Sequence, residues 1–144
     1  RIGKAFADAG MTFSYHNHGF EFDTLDQGGS GYDILVNETD PRYVKMQLDV
    51  YWVKYGGHDP VTWMKNLTGR MPTLHVKDMA PVAPGQDRHF TEIGAGILDI
   101  PAILTTAAEC GVQQLIVEQD SHWINDSPLE SAQISWENLT KLLQ

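Results

Sequence analysis

Four short apolar runs, each closed by a side chain that can bind a metal ion, constrain the fold of this chain most strongly. The closing residues are Glu21, Asp49, His75 and Glu118. The intervals between them are close to the roughly 30 residues that a β-strand, a crossover helix and the next strand require, and the third interval is longer. Strands that alternate with helices in this way pair in parallel and indicate an α/β fold.

Capping residues and chain breakers predict helices between these runs. Asp59-Pro60 and Ser127-Pro128 each place a capping side chain before a proline, which is typical of a helix N-terminus. Asp99 precedes a further helix with Pro101 in its first turn. The stretch 80–89, rich in proline and glycine, indicates an extra loop in the longest interval. The remaining helices are predicted at Ile2–Ala9 and Asp33–Asn37.

The four closing residues supply three carboxylates and one imidazole. Because the carboxyl ends of parallel strands meet at one edge of a sheet, we expect these side chains to converge. Such a donor set suits a divalent ion of the Mn²⁺, Mg²⁺, Co²⁺ or Zn²⁺ type. Taken singly, Glu21 also fits a solvated loop carboxylate, Asp49 a loop cap and His75 a hydrogen-bonded core residue. The set of four favours the metal.

The charge balance restricts the partners that we expect. The 10 basic and 19 acidic residues give a net charge of −9 and form no basic stripe, which disfavours a nucleic-acid partner. No apolar run approaches the roughly 20 residues needed to cross a bilayer, so we expect no membrane partner. The single cysteine, Cys110, fits a reducing compartment, and we therefore expect a cytoplasmic protein.

Motifs around the closing residues resemble those of the sugar phosphate isomerase/epimerase family, whose fold is the xylose isomerase-like TIM barrel. The resemblance runs through nearly the whole chain, and its pieces follow the order and spacing of barrel strands. These pieces are Tyr15–Phe22, Leu48–Val53, Gly56–Pro60, Gly69-Arg70, Leu74–Asp78, Glu92–Gly96 and Ile116–Asp120.

The resemblance implies that residues 1–144 are a single domain, the C-terminal half (strands five to eight) of a (β/α)₈ TIM barrel. It implies that one divalent ion, with Mn²⁺ the first candidate, is bound by Glu21, Asp49, His75 and Glu118. Glu21 and Glu118 would also be catalytic, moving a proton beside a carbonyl so that the reaction passes through an enediolate. The implied activity is isomerisation or epimerisation of a sugar, sugar phosphate or keto-polyol.

Five further residues are candidates for contact with a small sugar or polyol substrate: His16, His18, Trp52, Lys77 and Arg88. His16 and His18 share one face of an extended strand, and could instead support a metal ligand. Lys77 could meet a sugar oxygen or a phosphate, or be a surface lysine paired with Asp78. Arg88 could reach a phosphate or lie in a solvated loop. Trp52 could stack on a sugar or pack in the core; it stands where the 3-epimerases of this superfamily have a histidine, which counts against a ketohexose 3-epimerase.

The sequence leaves other functions open on the same scaffold. An inosose-type dehydratase begins with the same removal of an α-proton and is the first alternative. A non-catalytic sugar-binding half-barrel module is the second; the short chain favours it and the intact ligand set opposes it. An apurinic endonuclease shares the barrel, but a net charge of −9 is unsuited to DNA. The expected protein partner is a second copy in a homo-oligomer, or the remainder of a longer chain.

Overall fold

A parallel β-sheet forms the centre of the computed structural model, which describes residues 1–144. The strands are β1 Ser14–His16, β2 Lys45–Asp49, β3 Thr73–Val76, β4 Asp78–Met79, β5 Phe90–Thr91 and β6 Gln114–Val117. Four of them pair in parallel in the order β1-β2-β3-β6. The short strands β4 and β5 form a separate antiparallel pair. The predicted α/β class and the parallel pairing are therefore confirmed.

Six α-helices accompany these strands, and the N-termini of α4 and α5 follow from local chemistry. The carboxylate of Asp59 accepts the N–H of Thr62, and that of Asp99 accepts the N–H of Ala102. A proline in the first turn of each helix fixes a helical φ at a position that needs no N–H donor. The helices are α1 Ile2–Asp8, α2 Gly31–Glu38, α3 Val50–Tyr55, α4 Pro60–Asn66, α5 Ile100–Glu109 and α6 Pro128–Leu142.

The first strand is shorter than the sequence indicated. β1 ends at His16, and Glu21 lies in a separate 3₁₀ turn, Phe20–Phe22. The chain turns at Gly19, where an added Cβ would lie 2.8 Å from a ring carbon of Tyr55. Glu21 therefore does not close a strand as predicted, because the extended run stops five residues before it.

The two faces of the sheet differ in chemistry. Met46, Leu48 and Leu74 are fully buried in the main apolar cluster, which also contains residues of the helices. Because side chains alternate along a strand, Gln47 and Thr73 lie on the opposite face, where the amide of Gln47 donates to the hydroxyl of Thr73 at 2.9 Å. This second face is polar and leads along the strands to the candidate site.

The edges of the sheet are its least buried strands. β1 and β6 pair on one side only, and no residue of either strand is buried, whereas three residues in each of β2 and β3 are. The predicted extra loop, 80–89, connects β4 to β5, and the N–H of Ala80 donates to the carbonyl of His89 at its base. No helix has both the length and the apolar character to span a bilayer.

Candidate metal centre

Four side chains converge at the carboxyl ends of the parallel strands: His16, Asp49, His75 and Glu118. Each offers one ligand atom, and these atoms all lie within 4.8 Å of one another. Ligand atoms about 2.0–2.3 Å from a shared ion are at most about 4.6 Å apart, so the observed spacing is close to that of a coordination shell. This group of residues could hold a metal ion.

Strand register explains the convergence. Asp49 pairs directly with His75, so both side chains leave the ends of β2 and β3 on the same face. Val76 pairs with Val117, which places the next residue, Glu118, beside Lys77. Glu118 therefore reaches His75 across the strand ends, and its Oε2 lies 2.8 Å from the imidazole Nδ1.

The two carboxylate oxygens of Asp49 have different partners. Oδ1 accepts the N–H groups of Tyr51 and Trp52 at 3.0 and 3.2 Å and thereby caps α3. Oδ2 faces the site and lies 3.2 Å from Nε2 of His16. Because the side chain is fully buried and held by the helix cap, its orientation toward the site is fixed before any ligand arrives.

Asn17 was not predicted to take part in the site, yet it holds the end of β2 in place. Its side-chain oxygen accepts the N–H of Asp49 at 2.9 Å, and its amide donates to the carbonyl of the same residue. Asn17 is fully buried. The one sequence signal for it was its position between two histidines at the end of a short strand.

The pKa values of His75 and Glu118 are both lowered, for different reasons. Burial lowers the pKa of His75, and the neighbouring His16 lowers it further, against the opposing effect of Glu118. A neutral imidazole is the form that binds a metal. Burial raises the pKa of Glu118, but hydrogen bonds and charge from Lys77 and His75 outweigh this and lower it. Glu118 is therefore held as a carboxylate at neutral pH.

Lys77 is buried rather than at the surface, so the surface-lysine interpretation is wrong. Its ammonium lies 2.8 Å from Glu118, 2.9 Å from Asp120 and 3.4 Å from Asp49. Desolvation lowers the pKa of Lys77, but these three carboxylates raise it by more. Asp120, which follows the fourth predicted ligand, thus enters the site through Lys77.

Glu21, predicted as a metal ligand, lies outside the group of four, and His16 stands in its place. Its Oε1 accepts the hydroxyl of Tyr15 at 2.8 Å and its Oε2 accepts the N–H of His18 at 2.9 Å. Burial, with the hydrogen bond and the charge of Glu21, raises the pKa of Tyr15 to about 12. Both oxygens of Glu21 are therefore engaged, one with the strand β1 and one with the loop that follows it.

The remaining predicted substrate contacts lie around the group of four. The ring of His18 is exposed and packs 5.2 Å from the ring of His16 and 5.5 Å from that of Trp52. The indole nitrogen of Trp52 is buried without a hydrogen-bond partner. Arg88 is exposed, donates to the carbonyl of Tyr55 and packs on that ring, so it belongs to the outer loop.

Comparisons with known proteins find similar chains named as dehydratases, isomerases and epimerases. No family model matches the chain. An inosose dehydratase of Clostridium botulinum is 27% identical over 146 residues, which cover 92% of this chain and 48% of that protein. The chain thus spans about half the length of the curated relatives it matches.

Solved structures agree with the sequence relatives. A sugar phosphate isomerase/epimerase from Parabacteroides distasonis is 27% identical, with a TM-score of 0.77 over 96% of this chain and 50% of its own. A xylose isomerase domain protein from Planctomyces limnophilus, at 17% identity, shares the fold with a TM-score of 0.70 over 98% of this chain and 49% of its own. The structural neighbours of this chain are therefore sugar phosphate isomerase/epimerases and xylose isomerase-like TIM-barrel proteins, and the resemblance predicted from the motifs is confirmed.

Proposed function

We propose that this chain carries the metal-binding half of an enzyme that moves a proton beside the carbonyl of a sugar or keto-polyol. The observation that carries the proposal is the convergence of four ligand atoms within 4.8 Å at adjoining strand ends. In TIM-barrel enzymes the active site lies at this end of the strands. The named relatives, isomerases, epimerases and dehydratases, support the same class of chemistry.

The donor set narrows the choice of ion. Two imidazoles and two carboxylates replace the three carboxylates and one imidazole that the sequence predicted. Imidazole nitrogen suits transition ions better than Mg²⁺, so we propose Mn²⁺, Co²⁺ or Zn²⁺, with Mg²⁺ the weakest candidate. A bound ion would supply a Lewis acid that polarises the substrate carbonyl.

Asp49 and Glu118, the two carboxylates of the group, differ in side-chain exposure, and we propose different roles for them on that basis. The side chain of Asp49 is fully buried and shared with the cap of α3, so we assign it to positioning. The side chain of Glu118 is 39% exposed and can meet a substrate, so we assign it the removal of the α-proton. Glu21, which the sequence predicted as the second proton-transfer group, is 5% exposed and has both oxygens hydrogen-bonded to Tyr15 and the His18 N–H, so by the same criterion we assign it to positioning.

Isomerisation and dehydration remain the two candidate reactions, because each begins with removal of the proton next to the carbonyl. Similarity to a sugar phosphate isomerase/epimerase favours the first. Similarity to inosose dehydratases favours the second, on a cyclic keto-polyol. The proposed substrate is in both cases a small polyhydroxylated ketone or aldehyde.

We also propose that residues 1–144 are one domain that forms half of a barrel. The two edge strands each lack a neighbour on one side. The structural match to the Parabacteroides protein includes 96% of this chain but 50% of that protein. Unpaired parallel edges invite further pairing. The other half would come from further residues of the same polypeptide or from a second copy of this chain.

Metal titration followed by isotope exchange tests this function. The full chain should bind Mn²⁺, Co²⁺ or Zn²⁺ with one site per chain, and with the ion it should exchange the α-proton of a keto-sugar or an inosose for deuterium in D₂O, as followed by NMR. Glu118→Gln should abolish the exchange. Glu109→Gln, an exposed change at the end of α5, is the matched control and should leave it intact. A wild-type chain that binds none of the ions would refute the proposal.

A further inference from the structure

Lys77 is the most deeply buried ammonium group of the site. Its side chain is 2% exposed, and it follows β3 directly, beside Glu118. A lysine ammonium has three donors, and here three carboxylates surround it: those of Glu118, Asp49 and Asp120. The rings of Phe90 and Trp52 lie 5.3 and 6.0 Å from the ammonium and separate it from bulk water.

Two of these three carboxylates are the ones that the proposed metal site would use. Oε2 of Glu118 lies 2.8 Å from both the ammonium of Lys77 and Nδ1 of His75. Oδ2 of Asp49 lies 3.4 Å from the ammonium and 3.2 Å from His16. An ammonium and a divalent ion would therefore draw on the same two oxygens.

The third carboxylate lies outside the group of four. Asp120 is bound to Lys77 at 2.9 Å, and its side chain is 47% exposed. Asp49, by contrast, is fully buried. A buried carboxylate requires a compensating charge or a full set of hydrogen-bond donors, and without a cation Asp49 and Glu118 would repel each other at the strand ends.

We propose that Lys77 is a positioning residue that acts as the counter-cation of the metal-free site, and that a divalent ion binds by taking over the oxygens of Asp49 and Glu118 while Lys77 keeps Asp120. This inference rests on the proposed metal site. Lys77 then has opposite effects on the stability of the fold and on the affinity for the ion. Lys77 stabilises the metal-free fold, and it lowers the affinity for the ion through competition and charge repulsion.

Titration of the full chain with MnCl₂ alone, in a calorimeter at fixed pH and ionic strength, tests the inference. Lys77→Met keeps the volume of the side chain and removes its charge. We expect it to bind Mn²⁺ at least about tenfold more tightly than the wild type. The metal-free variant should melt at a lower temperature than the metal-free wild type, and saturating Mn²⁺ should raise its melting temperature by more.

Lys77→Arg is the matched control, because it keeps the positive charge. It should bind Mn²⁺ no more tightly than the wild type. If Lys77→Met does not fold without metal, Lys77→Gln replaces it, since glutamine keeps a hydrogen-bond donor for Glu118 without the charge. Tighter binding by the neutral variant supports the inference, whereas equal or weaker binding overturns it.

A double-mutant cycle tests the part assigned to Asp120. If Asp120 acts by holding Lys77, Asp120→Asn should weaken Mn²⁺ binding about threefold in the wild type and have little effect in Lys77→Met. An equal loss in both backgrounds would show that Asp120 acts on the ion directly and would overturn its assignment to Lys77. The two proposals fail differently: a wild type that binds no ion refutes the metal site itself, whereas a wild type that binds while Lys77→Met gains nothing refutes this inference alone.

Discussion

Two neighbouring regions of the molecule bury carboxylates, and they satisfy them in different ways. Asp78 is the first residue of β4 and is 1% exposed. Its two oxygens accept four backbone N–H groups, those of Met79, Gly94, Gly96 and Leu98, at 2.8 to 3.2 Å. Asp78 thus fixes one loop against another, and it has no charged or imidazole partner.

The carboxylates at the strand ends have charged and imidazole partners as well as backbone ones. Asp49 uses one oxygen for backbone N–H groups, like Asp78, but turns the other toward His16 and Lys77. Glu118 meets only Lys77 and His75. Burial alone therefore does not mark a functional carboxylate. A carboxylate whose partners are all backbone groups is structural, whereas one whose partners are imidazoles and an ammonium can exchange them for a cation.

The largest effect should follow from breaking the structural carboxylate. Asp78→Asn removes the charge and turns an NH₂ group toward backbone donors, so we expect a loss of about 3 kcal/mol in the free energy of unfolding. Urea unfolding measures it. Asp87→Asn, an exposed change in the loop that connects β4 to β5, should stay within about 0.5 kcal/mol of the wild type. A loss below about 1 kcal/mol for Asp78→Asn would show that a carboxylate bound only to backbone N–H groups is not a major structural element.

Asp49 combines both kinds of partner, so its variants separate the two roles. Asp49→Asn can keep the cap of α3 through its side-chain oxygen but loses the ligand charge, and Mn²⁺ affinity should fall by about 100-fold, roughly 2.7 kcal/mol. Asp49→Ala should lose the same affinity and about a further 1 kcal/mol of stability through the missing cap. Calorimetric titration and urea unfolding measure the two quantities. Equal stability of the two variants would show that the cap contributes nothing.

Glu92 is likewise held by uncharged donors, in its case hydroxyl as well as backbone N–H groups, and it adds a pH dependence. It accepts hydrogen bonds from Ser131, the N–H of Ile124 and Thr91, and although burial raises its pKa these bonds lower it below the ordinary 4.5. The lowered pKa means that the folded state favours the charged form, so the stabilisation is complete above pH 4.5 and is lost as pH falls through the folded-state value.

Glu92→Gln should therefore cost about 1–2 kcal/mol of unfolding free energy at pH 7, and the difference from the wild type should shrink as pH falls below about 4.5. Urea unfolding at a series of pH values between 3 and 7 measures it, with Glu109→Gln as a control for a solvated carboxylate. A difference that stays constant over this range would place the acid sensitivity elsewhere.

Glu21 provides the smallest expected effect. Since its oxygens are engaged with Tyr15 and the N–H of His18, Glu21→Gln should change Mn²⁺ affinity by less than about threefold. His16→Ala, made at the position that the structure brings into the group of four, should lower the affinity by at least about tenfold. The same calorimetric titration compares them. The reverse order would restore Glu21 as the ligand that the sequence predicted.

Three of the four parallel strands, two helix starts and three residues of the group of four could be predicted from the order of residues in the sequence. Aspartate before proline located the starts of α4 and α5, and the apolar runs located β2, β3 and β6. Asp49, His75 and Glu118 each follow such a run directly, so their convergence followed from parallel pairing.

The first strand could not be predicted in the same way. Its motif offers His16, His18 and Glu21 within six residues, and the choice depends on where the extended backbone stops. The strand stops at His16, after which Asn17 bonds to Asp49 and the ring of Tyr55 approaches Gly19 from α3. Such a contact between segments far apart in the sequence leaves no local periodicity. The partners of Lys77 were hidden for the same reason, because Asp120 meets it only once β3 and β6 lie side by side.

The opposite directions of Lys77 and Asp78 have a consequence for how this segment can diverge during evolution. Lys77 points to the strand ends and Asp78 to the loop of Gly94 and Gly96, although the two residues are adjacent. Deleting Val76 would place the acid at the position that Lys77 holds beside Glu118, and inserting one residue before Lys77 would place the base at the position that faces the amides of Gly94 and Gly96. Homologous chains should therefore differ here by substitution, and length variation should fall in the loop 80–89.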